Sequence, residues 1–445
     1  MKTMDLTSGD VARKLILFSL PMIAGNLLQQ CYNIADTLVV GRVIGPGALA
    51  AVGSAYTLMT LLNSIIIGLC MGGSVVLSSL FGAGRIREFR TALFNSFWFT
   101  LAVALLVNLL AAVFLGPLLH LLNIEGTVLQ DSIAYLSIIL GGMVFTFLYN
   151  FYSNALRSIG NTVIPLVFLG VAAVMNIVLD VVFTMFLHMG IAGAAWATVF
   201  SQAVSAVGLM IYFYGKAGNF LPRKENRKIS RNYLKSIVSN SLLTGIQQSV
   251  MNTGILMIQG LVNSFGVNVM AAFAAAVKID AFAYMPAQDF GNAFAVYVAQ
   301  NRGGKREDRI REGLRSAVKI SGLFCIAASG LVALFAKPFM TLFVGSAQTQ
   351  IIQVGVSYLR SEGLCYVGIG LLFLLYAYFR GMDQTQMSIV LTVISLGLRV
   401  VLSYALAPVY GYQMIWWSIP IGWFLADGVG FLCVRRKKGV FKTYN

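Results

Sequence analysis

Apolar residues run along this chain in long, continuous stretches separated by short polar ones. About 20 consecutive apolar residues cross the hydrocarbon of a bilayer as a helix. Only helices or closed barrels satisfy their backbone there, and stretches this long and continuous predict helices. Twelve are expected, over residues 15–41, 49–82, 92–117, 131–156, 162–187, 190–213, 235–264, 268–300, 315–343, 353–379, 386–408 and 411–434. The second and eighth exceed the minimum length and are expected to tilt or to project into water. The opening MKTMDLTSGDVARK is polar, and the run behind it is too long for a signal-peptide core. Residues 1–14 are therefore expected to persist as a short cytoplasmic segment.

Composition agrees with this pattern and narrows the function classes. Hydrophobic residues make up 58% of the 445 positions and charged residues 11%, against about 45–50% and about 25% in soluble domains. A soluble enzyme is excluded. The formal net charge of +16 sits in short basic clusters between apolar runs, which suits lipid headgroups rather than nucleic acid. Most of the 32 Lys and Arg residues fall on one side of the expected alternation, in the N-terminal segment, around Arg85–Arg90, in 216–235, in 302–319, at Arg157 and Arg380, and in the tail from Arg435. Arg42, Lys337 and Arg360 are on the other side. The positive-inside rule makes the basic side cytoplasmic, with both termini inside. The five cysteines all lie in apolar runs and are read as buried thiols, without a disulfide framework.

The most polar stretch, Tyr214–Leu234, divides the chain into two sets of six spans that resemble each other. GPGALAAVG near Gly45 aligns with GVNVMAAFA near Gly266 at an offset of 221, and Arg157 meets Arg380 at 223. Six spans per half return each half to the same side, so the repeats are parallel. Internal repeats of this kind are built around a substrate site between the halves. The expected fold is an all-α polytopic membrane protein, with twelve transmembrane helices in two pseudo-symmetric six-helix bundles around a central cleft. Its expected organisation is a cytoplasmic segment 1–14, an N-lobe 15–213, a basic cytoplasmic loop 214–234, a C-lobe 235–434 and a basic cytoplasmic tail 435–445.

An ionised side chain at mid-bilayer costs about 2.5–3.5 kcal/mol on insertion scales, so such residues mark ion or substrate paths. The candidates are Asp36, Asp180, Lys278, Asp280, Asp289, Glu362, Arg399 and Asp427. Asp36 lies toward the outer end of the first span. Asp180 lies in the fifth, with Asn176 one turn earlier on the same face, and the sixth offers Thr198. Two carboxylates, an amide oxygen and a hydroxyl suit a hard monovalent cation, and a close carboxylate pair also suits a proton. The alternative is that each Asp makes a structural hydrogen bond to a neighbouring helix. At the repeat offsets Asp36 meets Met257, Asn176 meets Arg399, Asp180 meets Ser403 and Thr198 meets Ile419. The set is missing from the second half, which points to one cation site in the N-terminal half, with Arg399 a fixed positive charge where a cation would sit. Pro21 removes a backbone bond inside the first span and permits a hinge, although an ordinary transmembrane proline is the equal alternative.

The opening LPMIAGNLLQQCYNIADTLVVGRVIGPGALAAVG resembles the first-span signature of the MATE family, the multidrug and toxic compound extrusion transporters, and the likeness extends over essentially the whole chain. Asp36, Asn176, Asp180 and Thr198 resemble the N-lobe cation site of its archaeal and DinF-like branch, and Pro21 the proline of its first span. The resemblance implies that Gln29, Tyr32, Asn150 and Asn154 line the N-lobe cavity, and that Asp280 contacts cationic drugs or pairs with Arg399. The seventh span departs from the NorM-like branch, with Gln247 and Gln248 where an acid is expected.

The expected function is secondary active efflux, in which Na⁺ or H⁺ is exchanged for amphipathic, often cationic organic compounds by alternating access. If sodium is the coupling ion, Asp36, Asn176, Asp180 and Thr198 are its ligands. A lipid-linked precursor flippase is the alternative. No Walker A motif, GxGxxG, metal cluster or nucleophile constellation is present, so neither ATP drive nor catalysis is expected. The expected setting is the plasma (inner) membrane, with both termini cytoplasmic, as a monomer. Lipid and small-molecule drugs are the expected partners, without nucleic acid or a cofactor beyond the transported ion.

Overall fold

A backbone in hydrocarbon must bond to itself, and the apolar stretches fold accordingly. The computed structural model describes residues 3–44, 46–121 and 126–441, which contain helices and turns and no strand. Gly45 of the repeat alignment, Lys2 and Lys442, and the side chains of Arg42, Arg436, Lys437 and Lys438, lie outside what is described.

The first half comprises α1 (Val11–Val39), α2 (Pro46–Gly82), α3 (Ile86–Val113) with the short α4 (Leu115–Leu121), α5 (Gly126–Ser158), α6 (Val163–Val181) and α7 (Gly190–Lys216). The second comprises α8 (Arg231–Asn263), α9 (Val267–Gly303), α10 (Glu307–Val344), α11 (Thr349–Gly363), α12 (Tyr366–Gly381), α13 (Thr385–Tyr410) and α14 (Gln413–Phe441). Ten of these helices are long and apolar enough to cross a membrane, and α11 with α12 form an eleventh crossing bent by 51°. At 33 residues α8 is equally long, but Gln247, Gln248 and Asn252 lower its hydropathy.

The bend between α11 and α12 interrupts the expected single span 353–379. It falls at Leu364–Cys365, after Gly363, whose added Cβ would stand 3.1 Å from Val332 of α10. A turn built from apolar residues leaves no mark on a hydropathy pattern. The cysteines also differ from expectation. Cys70 and Cys325 are buried, but Cys31 is exposed, and Cys365 and Cys433 are half-buried.

The chain forms two compact units. One is Met1–Leu6 with Leu20–Gly245, and the other is Thr7–Ser19 with Ile246–Asn445. The chain of α1 therefore passes from the second unit to the first between Ser19 and Leu20, immediately before Pro21. In the second unit, Arg309 donates to the carbonyls of Ser8 (3.0 Å) and Gly9 (2.9 Å), tying down the segment ahead of α1. In the first, the polar loop after α7 is clamped to α3. Arg90 donates twice to Asn219 O (2.9 and 2.7 Å), Asn226 donates to Arg87 O (3.0 Å) and the Ser230 N–H donates to Asn95 (3.0 Å).

Lipid gives helices no hydrophobic reason to associate, so small residues and close packing hold them together. Gly142 of α5 shows this in the first unit, where an added Cβ would lie 2.5 Å from Val199 of α7. In the second unit Trp416 is fully buried, stacks on Phe273 at 5.5 Å and meets the edge of Tyr358 at 5.0 Å.

Candidate functional site

Helical spacing puts Tyr32 and Asp36 on one face of α1 and Asn176 and Asp180 on one face of α6. The first unit brings both pairs together with Thr198 of α7. The Asp36 and Asp180 carboxyl groups meet at hydrogen-bond range. Asp180 is 0% exposed, Asn176 1% and Thr198 5%. Two carboxyl groups can touch in such a place only with a proton or a cation between them. One oxygen of each, Oδ1 in both cases, is buried without a hydrogen-bond partner.

The neutral groups fall into a consistent set. The phenols of Tyr32 and of Tyr135, which comes from α5, lie close to Thr198. A hydroxyl has one proton and two lone pairs. The Thr198 hydroxyl proton is available to Asn176. That requires the amide oriented with its oxygen toward Thr198, accepting from Oγ1 (3.3 Å) and from the Thr198 N–H (3.2 Å), while Nδ2 donates to Asp180 Oδ2 at 2.7 Å. The opposite orientation, with Nδ2 donating to Thr198 Oγ1 at 3.3 Å, sets the amide oxygen against a carboxylate.

Both acids stand just ahead of a π-helical turn, Val40–Ile44 after Asp36 and Val182–Phe186 after Asp180. Such turns widen the helix and are frequent at functional sites. Thr184 in the second one donates to the Asp180 carbonyl at 2.5 Å.

Four predicted residues, Asp36, Asn176, Asp180 and Thr198, thus form one cluster, and Tyr32, predicted as a cavity residue, joins it. The others lie outside this cluster. Gln29 is exposed, one turn before Asn33. Asn150 is half-buried and Asn154 buried, and their amide N–H groups are used within α5, on Thr146 O and Asn150 O (both 2.9 Å). Pro21 lies in α1 beside the passage between units. Tyr135 was missed. It is 3% exposed, and a tyrosine hydroxyl in the apolar run of α5 was the available signal.

Asp280 belongs to a second cluster, in the other unit. It is buried and accepts a hydrogen bond from Tyr366 of α12. Glu362 of α11 is buried close to Tyr358. Arg399 of α13 acts electrostatically on both acids, yet forms no ion pair within 4.0 Å with either. Lys278 is exposed. The offset of 223 that pairs Asn176 with Arg399 also pairs Tyr135 with Tyr358. The second unit therefore carries a guanidinium where the first carries an amide facing two acids.

A family profile described as MatE matches residues 21–182 and 242–405. These two stretches begin 221 and end 223 residues apart, the offsets at which the halves align. The chain is 31% identical over 403 residues to "Probable multidrug resistance protein YpnP" of Bacillus subtilis, covering 89% of this chain and 88% of that protein. It is 25% identical over 396 residues to "Probable multidrug resistance protein NorM" of Thermotoga maritima, covering 87% and 83%. It shares the fold of a crystal structure of MATE in complex with MaL6, at a TM-score of 0.93 over the whole of both chains and 24% identity.

Proposed function

This chain belongs to the MatE family, and from that premise we propose that it is a cation-coupled multidrug exporter whose coupling site is the Asp36–Asp180 cluster. It is a multi-pass membrane protein, and relatives along most of its length are named as multidrug resistance and export proteins. The observation that carries the coupling reading is the contact between the carboxyl groups of half-buried Asp36 and buried Asp180, each with a buried oxygen left unpartnered.

The cluster works as a charge exchanger. In the protonated state one proton bridges the acids, and Asn176 steadies Asp180 by donation from Nδ2. Sodium wants oxygen ligands only. Rotating the Asn176 amide turns its oxygen toward the acids and its NH₂ toward Thr198, so the same side chains serve either ion. Neutralising the pair removes the penalty for dehydrating it, and this favours the state in which α1 packs closely. Pro21, beside the point where α1 changes unit, is the hinge that carries the change.

The exported compounds are amphipathic and often cationic, and Gln29, Asn150 and Asn154 line their path on the first unit. The protein sits in the inner membrane as a monomer with both termini cytoplasmic, and needs no cofactor beyond the ion it moves. A pH gradient supplies about 1.4 kcal/mol per unit, and a potential about 2.3 kcal/mol per charge per 100 mV. Drug movement must therefore be tightly tied to ion binding. The test is efflux of a fluorescent organic cation from proteoliposomes, with Na⁺ and pH gradients imposed separately. One gradient or both should drive export in the wild type and neither in D36N or D180N. Full gradient-driven export by both variants would overturn the assignment.

A further inference from the structure

The basic loop between α7 and α8 is a fixed surface rather than a slack linker. Two buried asparagines hold it against α3. Asn226 of the loop donates to Arg87 O (3.0 Å) and to Thr91 Oγ1 (3.2 Å). Asn95 of α3 grips the chain on both sides of Ile229, donating to Lys228 O and accepting from the Ser230 N–H, each at 3.0 Å. With the backbone on either side turned to Asn95, the Ile229 side chain is held outward and is 79% exposed.

Six basic residues flank it: Arg223, Lys224, Arg227, Lys228, Arg231 and Lys235. All six are exposed, and none has an ion pair within 4.0 Å among the described residues. Arg227 donates to Pro222 O within the loop (3.4 Å). The one acid of the stretch, Glu225, faces Arg87 of α3 at 3.8 Å. Like charges gathered this closely repel, and a clamped loop cannot spread them apart. The surface therefore calls for an anionic counterpart.

Its depth points to lipid. Asn95 lies in the apolar run of α3. Trp98, one turn further along on the same side of the helix, is 55% exposed and meets the rings of Phe94 and Phe97. Exposed tryptophans on spanning helices mark the level of the headgroups. The Asn95 clamp thus sets Ile229 within about one helical turn, roughly 5 Å, of that level. A polyanion in solution would answer the charge and leave the isoleucine in water. A basic surface with an apolar tip at headgroup depth matches anionic lipid.

We propose that Arg223, Lys224, Arg227 and Lys228, with Ile229 at the tip, form a docking surface for anionic phospholipid headgroups. The lipid phosphates sit among the guanidinium and ammonium groups, and Ile229 enters the edge of the acyl layer. This surface is independent of which ion or compound the protein moves.

The test is native mass spectrometry of the full-length protein in detergent, titrated separately with phosphatidylglycerol and with phosphatidylcholine of the same acyl chains. The wild type should bind its first phosphatidylglycerol more tightly than its first phosphatidylcholine. R223Q/K224Q/R227Q/K228Q removes only exposed groups and leaves both asparagine clamps, so the loop stays in place. It should weaken phosphatidylglycerol binding roughly tenfold or more and leave phosphatidylcholine binding unchanged. K305Q/R306Q/R315Q/K319Q removes the same charge from exposed positions of the second unit and should keep the wild-type affinity. I229S retains every charge and should weaken phosphatidylglycerol binding severalfold. Equal losses in the two fourfold variants would overturn the proposal, because the preference would then follow net charge alone. Wild-type phosphatidylglycerol binding in R223Q/K224Q/R227Q/K228Q would overturn it as well, and wild-type affinity in I229S would take the isoleucine out of the surface.

Discussion

Asn176 lies one helical turn before Asp180 on α6 and, in the orientation that satisfies Thr198, donates to Asp180 Oδ2 at 2.7 Å. The amide can donate to a carboxylate or, after rotation, turn its oxygen to a cation. N176A should keep both acids but lose that choice. Loss of a donor to the carboxylate favours its protonated form, and an amide contact to a charge is worth about 1.5–3 kcal/mol, so sodium affinity should fall roughly 10- to 100-fold. The cation concentration giving half-maximal export in proteoliposomes measures this, and an unchanged value would count against the role.

Tyr135 reaches the same threonine from α5. Y135F keeps the ring in its packed position and deletes only the hydroxyl. The loss of one neutral hydrogen bond, about 0.5–1.5 kcal/mol, should weaken cation dependence roughly 2- to 10-fold with little change in thermal stability. A fall in stability with unaltered cation dependence would make Tyr135 a packing residue only.

Pro21 gives a prediction that separates motion from binding. In P21A the helix regains a backbone hydrogen bond and straightens, so export should slow severalfold. Equilibrium binding of the coupling cation, measured on the purified protein, should stay near the wild-type value. Loss of binding together with transport would place Pro21 in the site's architecture rather than in its hinge.

Arg399 faces Asp280 and Glu362 in the second unit. Removing one member of a buried charge set leaves the others uncompensated, at about 3–5 kcal/mol. R399M should therefore lower the unfolding temperature in detergent sharply. Adding E362Q to R399M should recover much of that loss, because fewer carboxylates then lack a counter-charge. Absence of recovery would mean that Arg399 stabilises the helix contacts by its stem alone.

Hydropathy and charge determined much of this protein in one dimension. The apolar stretches set the helices, since hydrocarbon tolerates no other open-chain backbone. The repeat offsets were legible too, because each half carries the same run of motifs. The acids near Asp36 and Asp180 stood out, since an ionised group in an apolar run is costly wherever it lies. Helical spacing then sufficed to group Asn176 with Asp180 and Tyr32 with Asp36.

Tertiary structure alone decided which groups meet. Contact between Asp36 and Asp180 joins helices that are distant along the chain, and no periodicity encodes it. Tyr135 enters the cluster, while Asn150 and Asn154 turn their amides onto their own helix, because side-chain direction depends on helix rotation and not on residue type. The break at Leu364–Cys365 was equally hidden, because it follows Gly363 at a close approach to α10, and glycine in an apolar run reads the same whether another helix lies against it or lipid does.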